Sequence, residues 1–483
     1  MPTEEEDNRV AENKGWFTPA RLLWLFCAMN MLVYMDRGVI SSNGVNGARG
    51  DEKSPGYGIQ GDFELSLTQI GYLPAAFLVG LLVSSPIFAE ASKHVNAFRL
   101  IALGLGVWTL STAGCGMSVG FWSLIICRMF VGVGEASFVA LASPFIDDNA
   151  PPQSKTRWLA TFYLCIPVGY ALGYIFGGVV AGPLGWRAAF LLEAAAMAPF
   201  VAFCALAPPI HLRGMSKDAD RSPAAVAAGM KGPKEWGTGL VGAVKEAATD
   251  LVTVCRHPVY VCTIGGQTLY TAFIGAIAYL GPKAGRDVFG ISGETADLVF
   301  GAVTVLTGVF GTLAGGVLLD RMGSTMGNAL TICAAGMAIG AVLILLAFGV
   351  TTSLLGFVPP FAAGQFAIFG IQAPNTAVVL WSVPARLRPF AMSLQVIVIH
   401  VFGDVPSPVL LGWLQERLQN WRISIGISAV LLLLGALVFY LGKYYSSREP
   451  DYRMLSESED ADTARNAEPG TPLLRDADGA SHV

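Results

Sequence analysis

Charge is scarce in this chain. Only 14% of its 483 residues are Asp, Glu, Lys or Arg, against roughly 25% in ordinary soluble domains. With 53% hydrophobic residues, the composition excludes most soluble folds, although the length alone would suit about three domains of ~150 residues. Histidine is rarer still, at five residues. No HExxH, no serine–histidine–aspartate order and no cluster of metal ligands occurs, so neither an enzyme nor a metal or cofactor site is expected. The eight cysteines (Cys27, Cys115, Cys127, Cys165, Cys204, Cys255, Cys262 and Cys333) form no CxxC pair and lie in or beside apolar runs. They read as buried free thiols, not as disulfides or zinc ligands. The N-terminus opens on acids and lacks a basic n-region, so a cleaved secretory signal is not expected.

What is abundant is apolar sequence. Taking about 20 apolar residues as one bilayer crossing, twelve spans are expected, near 21–40, 66–90, 98–118, 120–146, 157–182, 186–208, 257–281, 294–319, 327–350, 353–382, 388–413 and 421–445. The fold class that follows is an all-α membrane protein. Polar residues 209–256 separate spans 6 and 7, dividing the chain into a six-helix bundle over 21–208 and another over 257–445. The tails at 1–20 and 446–483 carry net charges of −3 and −5, leaving +4 between them. No nucleic-acid partner is suggested. The acidic C-terminal tail is compositionally disordered. Within it, Tyr452-Arg453-Met454-Leu455 fits a tyrosine sorting signal. An even span count puts both tails and the central loop on one side, and the positive-inside tendency makes that side cytosolic.

Gly316-Val317-Leu318-Leu319-Asp320-Arg321-Met322-Gly323, between spans 8 and 9, fits the GxxxD-[RK]-x-G loop signature of the major facilitator superfamily. It makes Asp320 and Arg321 candidates for a gating loop. The equivalent loop of the first half, Ala89 to Asn96, keeps the position but lacks the glycine and the aspartate.

A charge inside hydrocarbon costs at least ~2.5–3.5 kcal/mol on insertion scales, so each intramembrane ionisable residue is a functional candidate. These are Asp36 and Arg37 in span 1, Arg128 and Glu135 in span 4, and His400 and Asp404 in span 11, with Glu193 in span 6 as a seventh. Arg128 and Glu135 share a helix face two turns apart and are too distant to touch. Each therefore needs a partner on another helix, for which Asp36 and Arg37 are the first-half candidates. In such a network, protonating one carboxyl releases an arginine, a proton-coupling switch. The competing reading is a static salt-bridge cluster that only fixes packing. His400 and Asp404, four residues apart, neighbour each other, and Pro406 and Pro408 are expected to kink that helix. Polar residues at helical spacing add cavity candidates: Asn30 and Tyr34 with Arg37 in span 1, Gln267 and Tyr270 in span 7, and Gln365, Gln372 and Asn375 in span 10. Any one of them equally suits a helix-to-helix hydrogen bond. Gly132, Gly134 and the spacing-four series Gly169, Gly173, Gly177 read as close-packing surfaces, since no strand precedes them and no P-loop lysine follows.

Taken together, these segments resemble the spinster family of major facilitator carriers, above all its plant and protist members. The resemblance covers about 21–445. It rests on Tyr34-Met35-Asp36-Arg37, Arg128 with Gly132-Val133-Gly134-Glu135-Ala136-Ser137, Phe162 through Gly169 with Leu172-Gly173-Tyr174, and His400 through Pro408. It implies the major facilitator fold of two pseudo-symmetric bundles, and alternating-access transport of sphingolipids, sphingosine phosphate or lysophospholipids, coupled to protons, at the late-endosomal, lysosomal (vacuolar) or plasma membrane. Carried over residue by residue, Asp36 and Glu135 are the proton-linked carboxyls, and Arg37 and Arg128 their partners or head-group contacts. A monomer is expected. The degenerate loop at Ala89–Asn96 departs from the family pattern. Two rivals remain open: a major facilitator carrier of a small polar solute such as a sugar or organic anion, and a transport-dead receptor or scaffold acting through its tails.

Overall fold

Several helices start where the sequence supplies a side-chain cap. Ser292, Thr325, Ser353 and Asn420 each sit in extended backbone and accept from an N–H of the first turn that follows, satisfying donors that a helix leaves orphaned. Pro258 opens span 7 at its first position, and Gly290 closes it in the left-handed region (φ 60°), the reverse-sided punctuation expected of proline and glycine. A computed structural model describes residues 19–50, 55–91, 95, 97–149, 155–206, 240–384 and 387–452. It contains twelve helical spans long and apolar enough to cross a membrane. In the first half these are Pro19–Ser41, Leu67–Ala91, Ala97–Gly116, Phe121–Asn149, Lys155–Leu184 and Trp186–Leu206; in the second, Pro258–Phe289, Gly293–Arg321, Met326–Gly349, spans 10 and 11, and Trp421–Ser446. Among the described residues there is no strand, only an isolated bridge between Ala48 and Tyr57. Large apolar side chains such as Leu110, Trp122 and Leu355 point outward, as lipid-facing residues do.

Four details differ from the expected spans. Span 7 runs to Phe289 instead of 281, and Lys283, inside the extension, finds buried partners in the first loop. Span 10 is broken into Leu354–Phe369 and Gln372–Trp381. Span 11 consists of Arg388–Ile399, a π-helical turn His400–Asp404, and Ser407–Leu418. Pro406 and Pro408 cannot donate to the ladder, and the irregular turn falls just ahead of them. The central stretch is not loop throughout, since Leu240–Cys255 is helical. Residues 1–18 and 209–239, most of the first-half loop after Ala91, and the sorting motif beyond Tyr452 lie outside the described residues.

Within the first half, glycine lets backbones meet. A side chain on Gly173 would collide with the carbonyl of Met35 and with Gly38, and one on Gly38 with the carbonyl of Tyr170. Spans 1 and 5 are thereby locked backbone to backbone, the small-residue packing that membrane helices favour. Gly132 faces the carbonyl of Phe77 on span 2, and Gly134 the backbone of Trp108 on span 3.

The halves meet mainly at the face opposite the chain's ends, here called the distal face. Asp297 of span 8 accepts from the backbone N–H of Asn43 (2.9 and 3.0 Å) and from its side-chain amide (2.8 Å). Lys283 donates to the Gly47 carbonyl (2.7 Å) and to Gln60 (2.5 Å). Arg286 reaches the Tyr57 hydroxyl (2.6 Å), Glu416 accepts from the N–H and hydroxyl of Thr68 (2.7 and 2.8 Å), and Tyr174 donates to the Ala278 carbonyl (2.5 Å). These contacts form a latch that ties the first loop, the start of span 2 and span 5 to spans 7, 8 and 11. In the same loop, Asp62 accepts from Trp186 (2.9 Å) and Arg187 (2.5 Å). Burial alone would push its carboxyl up, but these donors hold it below the ordinary carboxylate value.

Replacing Gly38 by Val is expected to lower unfolding stability by about 1–3 kcal/mol, the usual cost of overpacking. Gly182, with open space where its side chain would go, is the control. Thermal unfolding in detergent checks this: equal midpoints for Gly38→Val and Gly182→Ala would contradict the packing described.

Candidate functional site

Asp36 and Arg37 are consecutive, so about 100° of helix rotation separates them and sends them to different neighbours. Both oxygens of Asp36 lie 2.8 Å from Nη1 of Arg128. Arg37 donates through Nη2 to Glu135. The two residues of span 4 are thus each held by span 1, in two separate ion pairs stacked about 10 Å apart along span 4. The Phe77 ring of span 2 lies beneath both guanidinium groups, 4.6 Å from that of Arg37 and 5.4 Å from that of Arg128, while Tyr34 covers Arg37 at 4.7 Å. Cation–π attraction strengthens when water is excluded.

Burial separates the four roles available. Asp36, Glu135 and Arg128 are at most 1% exposed. Arg37 keeps 15% of its side chain accessible, which makes it the member best placed to meet a solute. Several atoms of the quartet remain without a hydrogen-bond partner among the described residues: Nε of Arg37, Nε of Arg128 and Oε2 of Glu135. Buried polar atoms are rarely left so in native proteins. They offer unused donor and acceptor capacity for water or for an anionic group.

Arg37, Arg128, Phe77 and Tyr170 line one wall of a cavity between the halves, and Tyr279 and Asp404 the other. Its volume is about 60 Å³, enough for a few waters and well below the roughly 300–1,000 Å³ of a small-molecule pocket. The site is therefore nearly collapsed in this conformation. A larger cleft of about 810 Å³ runs along the distal face past Asp62, Arg187 and Glu294, and Asn43 belongs both to its wall and to the latch. Across the central cavity, Nδ1 of His400 lies 2.9 and 3.0 Å from the two oxygens of Asp404. The π-helical turn brings Asp404 against Gly275 and Gly403 against Thr268 and Thr271. Without those glycines span 7 would hold the dyad away from the cavity.

The other polar candidates are placed elsewhere. Asn30 donates to the Phe162 carbonyl (3.0 Å) on span 5. Gln267 donates to Gln372 (3.0 Å), which donates in turn to Tyr270 (3.2 Å), tying span 7 to span 10. Gln365 accepts from Thr307 at 3.4 Å, and Asn375 is buried with Oδ1 unpartnered among the described residues. None of these side chains lines the central cavity; in a water-poor interior an amide takes the nearest helix as its partner. Asp320 and Arg321 are exposed at the end of span 8. There Ser324 bonds Asp320 (3.2 Å), and Gly323 takes φ 98°, the left-handed conformation the motif's last glycine permits. Four contributors were not singled out from sequence: Tyr170 and Phe77, whose types look like packing, and the latch residues Lys283 and Asp297. Lys283 lies beyond the expected end of span 7. Asp297 falls inside the expected span 8, and an acid three residues within an apolar run was the signal available.

Comparison with known proteins places this geometry in context. Residues 26–403 match the family model described as Major Facilitator Superfamily. The chain is 45% identical over 468 residues to "Probable sphingolipid transporter spinster homolog 2" of Arabidopsis thaliana, covering 96% of this chain and 94% of that one. It is 27% identical to "Protein spinster homolog 1" of Homo sapiens, over 84% and 75% of the two chains. Among solved structures, a bacterial homolog to human lysosomal transporter, spinster, in an inward-facing and unoccupied conformation superposes with a TM-score of 0.72 at 18% identity, covering 89% of this chain and 98% of that one.

Removing one partner of a buried pair leaves the other charge uncompensated, at a cost of about 3–5 kcal/mol. Arg128→Gln and Asp36→Asn are each expected to destabilise by that amount, and the double variant by clearly less than their sum. A double-mutant cycle from denaturant unfolding in micelles reads this directly; additive losses would show that the two side chains do not act as a pair.

Proposed function

Since the chain belongs to the major facilitator superfamily, and within it to the spinster family, we propose that this integral, multi-pass membrane transporter is a proton-coupled carrier of sphingolipids, sphingosine phosphate or lysophospholipids. It works by alternating access of its two bundles, 21–208 and 257–445, about the cavity between them. The observation that carries the proposal is the cross-pairing of Asp36 with Arg128 and of Arg37 with Glu135 beside that cavity. Each arginine is neutralised while the site is empty. An anionic head group that draws Arg37 or Arg128 away leaves a carboxylate without a counter-charge in a poorly hydrated interior, and a proton then replaces the arginine. Substrate and proton are linked because the arginine cannot serve both. Asp404 faces the same cavity from the second half, with His400 bonded to it from behind.

The substrate class is supported by the names of the Arabidopsis relatives, called sphingolipid transporters, and by the apolar share of the cavity wall, where Ile40, Pro74, Phe77 and Leu78 flank the arginines. A carrier of sugars would be ringed by polar side chains, and the amides that might have formed such a ring bond other helices instead. The face bearing the chain's ends is assigned to the cytosol. With the latch tying the halves together at the distal face, this conformation is closed on the side away from the cytosol. Asp320 and Arg321 close the cytosolic side in the opposite state. A monomer suffices for the cycle, and the late-endosomal, lysosomal (vacuolar) or plasma membrane is its setting. No cofactor takes part.

Uptake of sphingosine phosphate and of fluorescent lysophosphatidylcholine into proteoliposomes, driven by a pH gradient, tests the coupling. Wild type is expected to respond to the gradient, while Asp36→Asn and Glu135→Gln are expected to lose that response. Unchanged pH dependence in both variants would sink the proposal.

A further inference from the structure

One buried acid takes no part in the scheme above. Glu193 of span 6 is fully buried, and neither oxygen of its carboxyl has a hydrogen-bond partner among the described residues. The register of the helices fixes its depth. Span 6 runs antiparallel to span 3: Gly116 lies against Arg187 and Leu191, and Gly106 against Val201. Glu193 is therefore level with Thr112 and Ala113. Span 4 also runs antiparallel to span 3, with Gly114 against Cys127 and Gly104 against Ser137, which puts Arg128 at that same level. The charges acting on Glu193 are Asp36 from span 1 and Arg128 from span 4. Span 3 adds the buried thiol of Cys115, itself in the field of the same pair. Spans 5 and 6 and the helix Asn43–Asn46 bring no further charge to it among the described residues. The span 3 side chains at and one turn from this level, Thr112 and Trp108, also carry buried polar atoms without partners among the described residues. A lone packing acid does not account for a group of orphaned polar atoms gathered behind an ion pair.

We propose that Glu193 is a second proton-binding site of the first half, exchanging one proton with Asp36 while Arg128 changes partner. In the conformation described, Asp36 is the anion, Arg128 its counter-charge, and Glu193 the neutral acid, the form that needs no ionic partner. In the exchange the O–H bond of Glu193 breaks, the proton bonds to a carboxylate oxygen of Asp36, and Glu193 is left anionic. Arg128 leaves Asp36 and pairs with Glu193. No charge is created, and Arg128 is never without a counter-ion, the condition that a buried arginine most needs. Asp36 is then neutral and can give its proton up to the cavity. Glu193 thereby acts as a positioning residue for Arg128. The part this exchange plays in transport rests on the proton-coupled reading.

The test uses full-length protein in liposomes, labelled with ¹³C-glutamate so that glutamic acid carbonyl bands are identified by their isotope shift in infrared spectra. At neutral pH the wild type should show a neutral glutamic acid band that persists in Glu135→Gln and disappears in Glu193→Gln. In Asp36→Asn, which frees Arg128, the band should convert to carboxylate, so the proposal stays testable if Glu193→Gln fails to fold. A labelled wild type with no neutral band, or a band that survives Glu193→Gln, or a band unmoved by Asp36→Asn, overturns the relay. Pyranine-reported proton flux with sphingosine phosphate, measured on the same liposomes, separates the two claims. No band with intact proton-linked flux overturns the relay alone, whereas the expected bands with no linked flux overturn the coupling reading while the proton exchange between Glu193 and Asp36 stands.

Discussion

Everything in the first half is arranged around one constraint: an arginine placed in hydrocarbon must have a counter-charge within reach. Here two arginines and two carboxylates are cross-tied between spans 1 and 4. The glycines stand next to them. Gly38 follows Arg37 and meets span 5, Gly132 precedes Glu135 by three residues and meets the backbone of Phe77, and Gly80 lies against Met129, beside Arg128. Close backbone approach draws the helices together until the side chains reach. Bulk at these positions would separate the pairs and leave each ion alone, so small-residue packing and electrostatics act as one device.

The two halves use opposite solutions to the same problem. The first neutralises charge with charge and keeps it pointed at the cavity. The second ties spans 7 and 10 with the neutral chain Gln267, Gln372 and Tyr270, and keeps its titratable pair, His400 and Asp404, on an irregular turn. A π-turn ahead of two prolines has a weakened hydrogen-bond ladder, the property that the proposed rocking of the second half against the first draws on. At the distal face the second half contributes Lys283 and Asp297, each satisfied by uncharged partners of the first loop. On the alternating-access proposal, opening that face requires breaking both sets of bonds, so the latch contributes to the energy gap between the two access states.

Most of the fold was legible in the sequence because a bilayer imposes a length and a composition on every crossing. The twelve spans agree with the helices to within a few residues where a cap or glycine ends the run. They fail where a charge is satisfied internally, as at Lys283, since hydropathy registers a charge but not its partner. The charge quartet was legible for the same reason it is costly: few residues of that kind occur in apolar runs, and a separation of seven excluded pairing within span 4. Which acid takes which arginine was not legible, because that depends on helix rotation. The amides show the limit most clearly. Asn30, Gln267 and Gln372 carry the same pattern whether they face a cavity or another helix, and only the packing of neighbouring spans decides.

The central claim is that an arginine exchanged between substrate and carboxylate links lipid movement to proton movement. Its most direct measurement is the ratio of the two fluxes in sealed liposomes with no imposed pH difference, where a gradient of sphingosine phosphate alone drives transport and a trapped pH dye reports the lumen. The account predicts that the lipid gradient by itself changes lumenal pH, in fixed proportion to lipid moved. Lipid movement at the same rate with lumenal pH unchanged would contradict it.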